Sequence, residues 1–292
     1  MRNIKITDVR VHVGDAGFLV DDGVTSILYD TGFGFTGEAL AQKVKKELGD
    51  RKLDYIFLTH SHYDHVLGAP YVASLYPEVK IIAGEYAAKI FGKPTAKETM
   101  RRLDRNFALK CGITDYEDHE DDLRVDITVK DGDELKLGDM VFTVINLPGH
   151  TRCSVGLYLA ENKLLLSTET LGIYLKPGII IPSYLIGYEV TLNSIRRAKA
   201  LDIENILVPH NRVLNREETK EYLETSEHVA IEVADKIKNI FFEGGTFDDA
   251  KAYFTERFYT DEVKPIYPID AYNLNTDATI NLIKRELVDG IK

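Results

Sequence analysis

Apolar runs of strand length alternate with helical periodicity along the first 212 residues. LDYIFLTH predicts a buried strand. Asp22-Gly23 predicts a hairpin turn between the predicted strands FLVDDG and TSILYDTG. The other predicted strands are VRVHV, FLVDDG, TSILYDTG, VKIIAG, LRVDITV, MVFTVINL, the hairpin-like pair in VGLYLAENKLLLSTET, and ENILVPH. Helices are predicted at Thr36–Leu48, Leu67–Tyr76, Glu85–Phe91, residues 95–111 and Glu189–Ala200. This alternation predicts an α/β fold.

The pattern changes after His210, where only helices are predicted. Asn215 can cap a long amphipathic helix that Gly244-Gly245 ends, and Thr246 can cap another that runs through Phe258. A further helix is predicted at 275–288. We therefore expect a core of residues 1–212 and a helical extension of residues 213–292 that packs on it.

Composition narrows the classes of function. The 292 residues are 44% hydrophobic, which allows a large core, and no run approaches the roughly 18 apolar residues of a membrane span. The net charge of −11 argues against sequence-independent binding of nucleic acid. The N-terminus lacks the features of a signal peptide, and two cysteines do not make a disulfide framework. We expect a cytoplasmic protein that acts on a small molecule without nucleic acid or membrane partners.

The segment LTHSHYDHVLG concentrates metal-binding side chains directly after a predicted buried strand. His60 and His62 are two residues apart and can share a face, whereas Asp64 and His65 fall where the chain turns into the next helix. Imidazole and carboxylate groups are ligands for zinc, iron and manganese. One short segment can therefore supply ligands to two adjacent metal positions.

Three later strands end in the same types of residue. His150 follows VFTVIN within INLPGHT, Glu169 ends the apolar strand of LLLSTET, and His210 ends that of NILVPHN. His12, His119 and His228 match no motif and are expected at the surface. The strand-end positions favour a site for two divalent metal ions, with zinc expected first and iron or manganese as alternatives.

These motifs, H-x-H-x-D-H, P-G-H-T, a strand-end acid and a strand-end P-H, resemble those of the metallo-β-lactamase-fold metallohydrolases. LYDTG, in which Asp30 ends a strand, resembles the first motif of that superfamily. The match covers roughly residues 10–212. The resemblance implies a four-layer αββα sandwich, here with a C-terminal helical extension.

The resemblance also assigns roles to individual residues. One metal would be bound by His60, His62 and His150, and the other by Asp64, His65 and His210. Glu169 stands where the superfamily usually has a bridging Asp, so it can bridge differently or favour one metal. Asp30 would hydrogen-bond to a ligand. Asp64 would also orient the attacking hydroxide or accept its proton.

The expected activity is hydrolysis of a small ester-like substrate, thioester before phosphodiester or lactone. Two cations can lower the pKa of a bound water towards about 7 and polarise the substrate oxygen. The helical extension resembles those of glyoxalase II-like thioesterases and PqsE-like proteins. An iron-containing redox enzyme and a catalytically quiet ligand-binding or regulatory protein are the alternatives.

The segment IYLKPGIIIPSYLIGYEV, rich in Tyr, Pro and Gly, is a candidate wall for a substrate pocket. Its candidate substrate contacts are Tyr174, Lys176, Tyr184 and Tyr188. The alternative for these four residues is ordinary packing of a long connection. Tyr63, which lies between two candidate ligands, is a further candidate contact.

Overall fold

The computed structural model describes residues 3–290, which form two compact units. The first unit extends to Asn146 and also includes Val155–Asn162, whereas the second comprises Leu147–Ser154 and the residues from Lys163 onwards. The C-terminal helices belong to the second unit together with several strands. The boundary proposed at residue 212 stays a prediction.

The first unit contains a six-stranded mixed sheet. Its strands are β1 (Lys5–Asp8), β2 (Phe18–Asp21), β3 (Ser26–Tyr29), β4 (Tyr55–Leu58), β5 (Lys80–Gly84) and β6 (Ile127–Val129), and they are neighbours in that order. Strands β1 to β3 pair antiparallel and β3 to β6 pair parallel. Strand β3 is buried along its whole length, as expected for a central strand that is covered on both faces.

Helices and a second group of strands complete the first unit. The helices are α1 (Gly37–Leu48), α2 (Tyr63–Val66), α3 (Ala69–Leu75), α4 (Glu85–Phe91) and α5 (Pro94–Lys110). Strands β7 (Glu134–Leu137), β8 (Met140–Asn146) and β9 (Val155–Leu159) form an antiparallel meander. Helix α1 buries Leu40 and Val44 and ends at Gly49, whose φ of 61° suits a glycine at a helix end, as the sequence predicted.

The second unit combines short strands with α-helices. Its strands are β10 (Leu164–Leu166), β11 (Ile173–Lys176), β12 (Ile179–Ile181), β13 (Asn205–Leu207) and β14 (Val213–Leu214). Its helices are α6 (Tyr188–Lys199), α7 (Arg216–Phe242), α8 (Phe247–Phe258) and α9 (Ile269–Ile283). Strand β13 pairs parallel with β10 and antiparallel with β14, and β11 and β12 form a hairpin. Helix α7 packs against α6 and β12 to β14.

The starts of α7 and α8 agree with the caps predicted from the sequence. Asn215 and Thr246 each form a capping box with the residue three positions later, which satisfies backbone donors that the helix leaves unpaired. Helix α9 begins at Ile269, six residues before the predicted start. No helix within residues 3–290 combines the length and the apolar character needed to cross a bilayer.

Two predicted strands were wrong or too long. VRVHV is not a strand, because one oxygen of Asp15 accepts the backbone N–H groups of Val11 and His12 at 3.0 and 2.7 Å and closes a loop there. In LRVDITV only Ile127–Val129 pairs with a neighbour. The alternation of apolar and polar residues does not predict where a buried side chain will form hydrogen bonds with the backbone.

Two buried carboxylates hold the loop of residues 33–36, which we call the 33–36 loop. Asp15 accepts hydrogen bonds from the N–H of Phe33 at 3.1 Å and from the hydroxyl of Thr36 at 2.9 Å. Asp104 on α5 accepts bonds from the backbone N–H groups of residues 34 and 35, at 2.9 and 3.2 Å, and from the hydroxyl of Tyr116 at 2.6 Å. Both acids are 1% exposed. The backbone of the loop is therefore fixed from two sides.

Burial raises the pKa of Asp104 from 3.8 to about 6 despite these hydrogen bonds. A carboxyl whose pKa is higher in the folded state contributes stability at low pH, and this contribution is lost as the pH rises through the folded value.

We therefore predict that Asp104 makes the free energy of unfolding fall between pH 4 and pH 7. The wild type should lose up to about 3 kcal/mol relative to Asp104→Asn over this range. Urea unfolding of both proteins at several pH values measures the difference. Parallel pH profiles would contradict this role of Asp104.

Candidate metal centre

The first unit places three imidazole rings together where β4 ends. His60 follows the strand after Thr59, and α2 begins at Tyr63, so the chain turns while presenting the donors. The ring of His60 lies 4.6 Å from that of His62 and 4.1 Å from that of His65, measured between centroids. His60 and His65 are buried. The sequence motif thus forms a compact set of donors within this unit.

A chain of hydrogen bonds sets the tautomer of His60. The hydroxyl of Thr59 donates to Asp30 at 2.9 Å, so it accepts from His60 Nδ1, which lies 2.9 Å away. A proton on Nδ1 leaves the lone pair on Nε2, which is the form that binds a metal. We assign this tautomer from the hydrogen-bond network.

Asp30 orients His65 in the same way. Its Oδ2 atom lies 2.8 Å from His65 Nδ1, and its Oδ1 atom accepts the backbone N–H of Thr59 at 2.9 Å. His65 Nε2 faces Asp64, with 3.8 Å to Oδ2. Asp30 has a φ of 58°, a backbone conformation that residues other than glycine rarely adopt. The resemblance assigned Asp30 a hydrogen bond to a metal ligand. The hydrogen bond to His65 is present, and metal binding by His65 stays a prediction.

His150 in the second unit is positioned by a bend that needs glycine. Gly149 has a φ of 154°, and a Cβ atom there would lie 2.5 Å from a methyl carbon of Thr170. The backbone N–H of His150 donates to the Thr170 hydroxyl at 3.1 Å, and His150 Nδ1 lies 2.6 Å from Ser183 Oγ. These contacts fix the ring and leave Nε2 as the nitrogen that can bind a metal.

Glu169 and His210 meet in the same unit. Glu169 begins a single helical turn after Thr168 and is 3% exposed, and its Oε1 atom lies 3.0 Å from His210 Nε2. This separation is close to the distance of about 3.3 Å expected between two ligands of one tetrahedral zinc ion with bonds of about 2.0 Å. His210 has a φ of 59°, so a strained backbone presents its ring.

Each unit therefore offers donors that fit a divalent metal ion. The first supplies three imidazoles with a carboxylate beside them, and the second supplies two imidazoles and a carboxylate. Three of these rings have Nδ1 held by a neighbouring oxygen, namely those of His60, His65 and His150. Such outer hydrogen bonds are typical of metal-binding histidines.

The predicted substrate contacts of the second unit make packing interactions. Tyr184 is fully buried and its hydroxyl donates to the carbonyl of Ala230 at 3.4 Å. Tyr188 packs edge-on against Tyr184, Tyr174 packs edge-on against Tyr222, and Lys176 forms an ion pair with Glu262. Burial raises the pKa of the Tyr174, Tyr184 and Tyr188 hydroxyls. These contacts are the ones expected if the four residues take part only in the packing of this segment. Substrate contact by the four residues stays a prediction.

Sequence reasoning missed Thr59 and Ser183, whose hydroxyls contact Nδ1 of His60 and of His150. Thr59 precedes His60 directly, so an adjacent hydroxyl was the available signal. Ser183 lies 33 residues from His150 in the chain, and nothing in the sequence connects them. His12, expected at the surface, is half-buried beside Phe33 and Phe107.

Among characterised proteins, this chain is similar to hydroxyacylglutathione hydrolase of Brucella anthropi, with 33% identity over 120 residues. The match covers 41% of this chain and 34% of that protein. It is also similar to glyoxylase B2 of Dictyostelium discoideum, with 28% identity over 47% of this chain and 42% of that protein. The chain thus spans less than half the length of these relatives.

Solved structures and a family model cover more of the chain. A metallo-β-lactamase family protein from Thermus thermophilus superposes with a TM-score of 0.65 at 16% identity, over 98% of this chain and 93% of that one. This similarity shows the shared α/β fold, and the described chain also carries the predicted C-terminal helices. The family model of the metallo-β-lactamase superfamily matches residues 10–210. The chain therefore belongs to the metallo-β-lactamase superfamily.

Proposed function

We propose that this protein is a metal-dependent hydrolase of small ester-like substrates, with thioesters ahead of phosphodiesters and lactones. The observation that carries the proposal is the hydrogen-bonded set of Asp30, Thr59, His60 and His65, which prepares two imidazoles to bind a cation. Family membership supports hydrolysis, and the similarity to hydroxyacylglutathione hydrolase favours thioesters. The cytoplasmic location and the small-molecule substrate stay predictions.

We propose two metal ions, with zinc first and iron or manganese as alternatives. The proposed ligands are His60, His62 and His150 for one ion and Asp64, His65 and His210 for the other, with Glu169 shared. Glu169 is one methylene longer than the usual aspartate, and its contact with His210 supports a place among the ligands of the second ion.

Divalent cations bound to such donors supply a water that ionises near neutral pH and a Lewis acid for the substrate oxygen. The chain's own residues define where this chemistry takes place. Asp30 and Thr59 keep the Nδ1 protons of His65 and His60 in place, so the lone pairs stay on Nε2. Asp64 is the carboxylate beside these rings that can accept a proton during attack on the carbonyl.

We predict that His60→Ala removes thioester hydrolysis. The zinc-loaded protein should hydrolyse S-acyl thiols faster than bis(p-nitrophenyl) phosphate or a lactone, and the variant should lose at least about 100-fold in kcat/KM. His228→Ala is the matched control because His228 is exposed on α7 and lies outside the donor sets.

The same experiment separates the alternatives. Treatment with a chelator should abolish the activity of the wild type, and added zinc should restore it. If the metal-loaded wild type hydrolyses none of these esters, the result would favour a catalytically quiet ligand-binding or regulatory protein. Tightly bound iron whose absorbance changes on reduction would favour the redox enzyme.

We also predict that Asp30→Asn weakens metal binding by about 10- to 100-fold, because the amide no longer holds the Nδ1 proton of His65 with a charged acceptor. Competition with a chromophoric chelator measures the affinity. Asp50→Asn, at an exposed residue after α1, is the control and should bind metal as the wild type does. Equal affinities for all three proteins would rule out this role of Asp30.

A further inference from the structure

Glu169 and His210 lie on two chain segments that run side by side in the second unit. Strands β10 and β13 pair in parallel before them. Ser167 extends this pairing, because its backbone N–H and its hydroxyl both donate to the carbonyl of Leu207, at 3.0 and 2.7 Å. Both strands end before the two candidate ligands, so the strand pairing alone does not fix the distance between them.

The side chain of Asn211 joins the same two segments beyond the candidate ligands. Its amide nitrogen donates to the backbone carbonyls of Tyr174 and Leu175, at 3.2 and 3.0 Å. Asn211 directly follows His210, and Tyr174 comes shortly after Glu169 in the chain. The two candidate ligands therefore lie, along both segments, between the strand pairing and the hydrogen bonds of Asn211.

The carbonyls that Asn211 contacts lie at a bulge of the β11–β12 hairpin. Tyr174 pairs with Ile180 and Lys176 pairs with Ile179, so Leu175 is an extra residue in β11. A bulge disrupts the hydrogen bonds between two strands, and carbonyls removed from water need a donor. An asparagine amide nitrogen carries two hydrogens, so Asn211 supplies a donor to each of the two carbonyls.

His210 depends on such contacts because its own backbone is strained. Its φ of 59° is a conformation that persists where the surroundings enforce it. The turn is closed by the N–H of Asn211, which donates to the carbonyl of Val208 at 3.3 Å, and by the N–H of Val208, which donates to that of Arg212 at 3.1 Å. Arg212 donates to both carboxylate oxygens of Glu218 on α7, at 2.9 and 2.7 Å. The turn is thus tied to α7 by Arg212 and to the hairpin by Asn211.

We propose that Asn211 is a positioning residue that holds the ring of His210 beside Glu169. The inference rests on the proposed metal-dependent function, in which both side chains bind the second ion. His210 Nε2 lies 3.0 Å from Glu169 Oε1, a separation at which one cation can contact both. When the amide of Asn211 is lost, the strained turn can relax, and the two donors no longer converge on one point.

The test measures zinc affinity by competition with a chromophoric chelator. Asn211→Ala and Asn211→Asp should each weaken one zinc-binding step by about 10-fold, the lower end of the range for groups that orient metal ligands. The aspartate carboxylate cannot donate hydrogen bonds, and its negative charge alone would strengthen cation binding. A loss of affinity in both variants therefore identifies the missing donors as the cause.

Asn205→Ala is the matched control. Asn205 is half-buried like Asn211, and its amide also donates to a backbone carbonyl, that of Leu214 on β14 at 3.1 Å. It makes this bond to a strand and not to the hairpin, so its loss should leave zinc affinity at the wild-type value.

A double-mutant cycle separates positioning of His210 from a general loss of structure. His210→Ala should weaken the same binding step, and Asn211→Ala added to it should cause no further loss, because the ring that Asn211 positions is gone. Losses that add together, or wild-type affinity in both Asn211 variants, would overturn the inference. These measurements need no turnover. The predicted losses in a protein that hydrolyses no ester would support the positioning role and reject the hydrolase.

Discussion

The hydrogen bonds of one buried carboxylate organise the first unit around its candidate metal ligands. Asp30 directly follows β3 and accepts bonds from the backbone and hydroxyl of Thr59, which directly follows β4, and from His65 in α2. Burying a carboxylate without such partners is costly, and here several donors compensate for the lost water. The same bonds join two strand ends and set which nitrogen of each imidazole is left to bind a cation.

The backbone at this point is strained in a way that supports a functional role. Asp30 and His210 are two of three residues other than glycine with positive φ within residues 3–290. Such conformations persist where the surrounding contacts enforce them, and they are concentrated at functional sites. Each residue presents a polar group to a candidate ligand, Asp30 to His65 and His210 to Glu169. The strained backbone lowers stability at these two residues and fixes the arrangement of the donors.

The sequence predicted the elements with strong local signals. Periodicity and turn residues located α1, and the capping residues Asn215 and Thr246 located the starts of α7 and α8. The spacing of His60, His62, Asp64 and His65 located the donors of the first unit, because a strand followed by a turn leaves few directions for them. What failed depended on hydrogen bonds between buried side chains and the backbone. Asp15 converts VRVHV from a predicted strand into a loop, and Asp104 holds residues 70 positions away in the chain.

The central claim is that imidazoles prepared by hydrogen bonds hold reactive cations. Anomalous diffraction recorded at the zinc, iron and manganese edges, from crystals grown with these metals, tests it most directly. The claim predicts two peaks about 3.5–4 Å apart, one bound to Nε2 of His60 and the other to Nε2 of His65. No anomalous peak near these nitrogens, or metal bound through Nδ1 with Asp30 turned away, would contradict it.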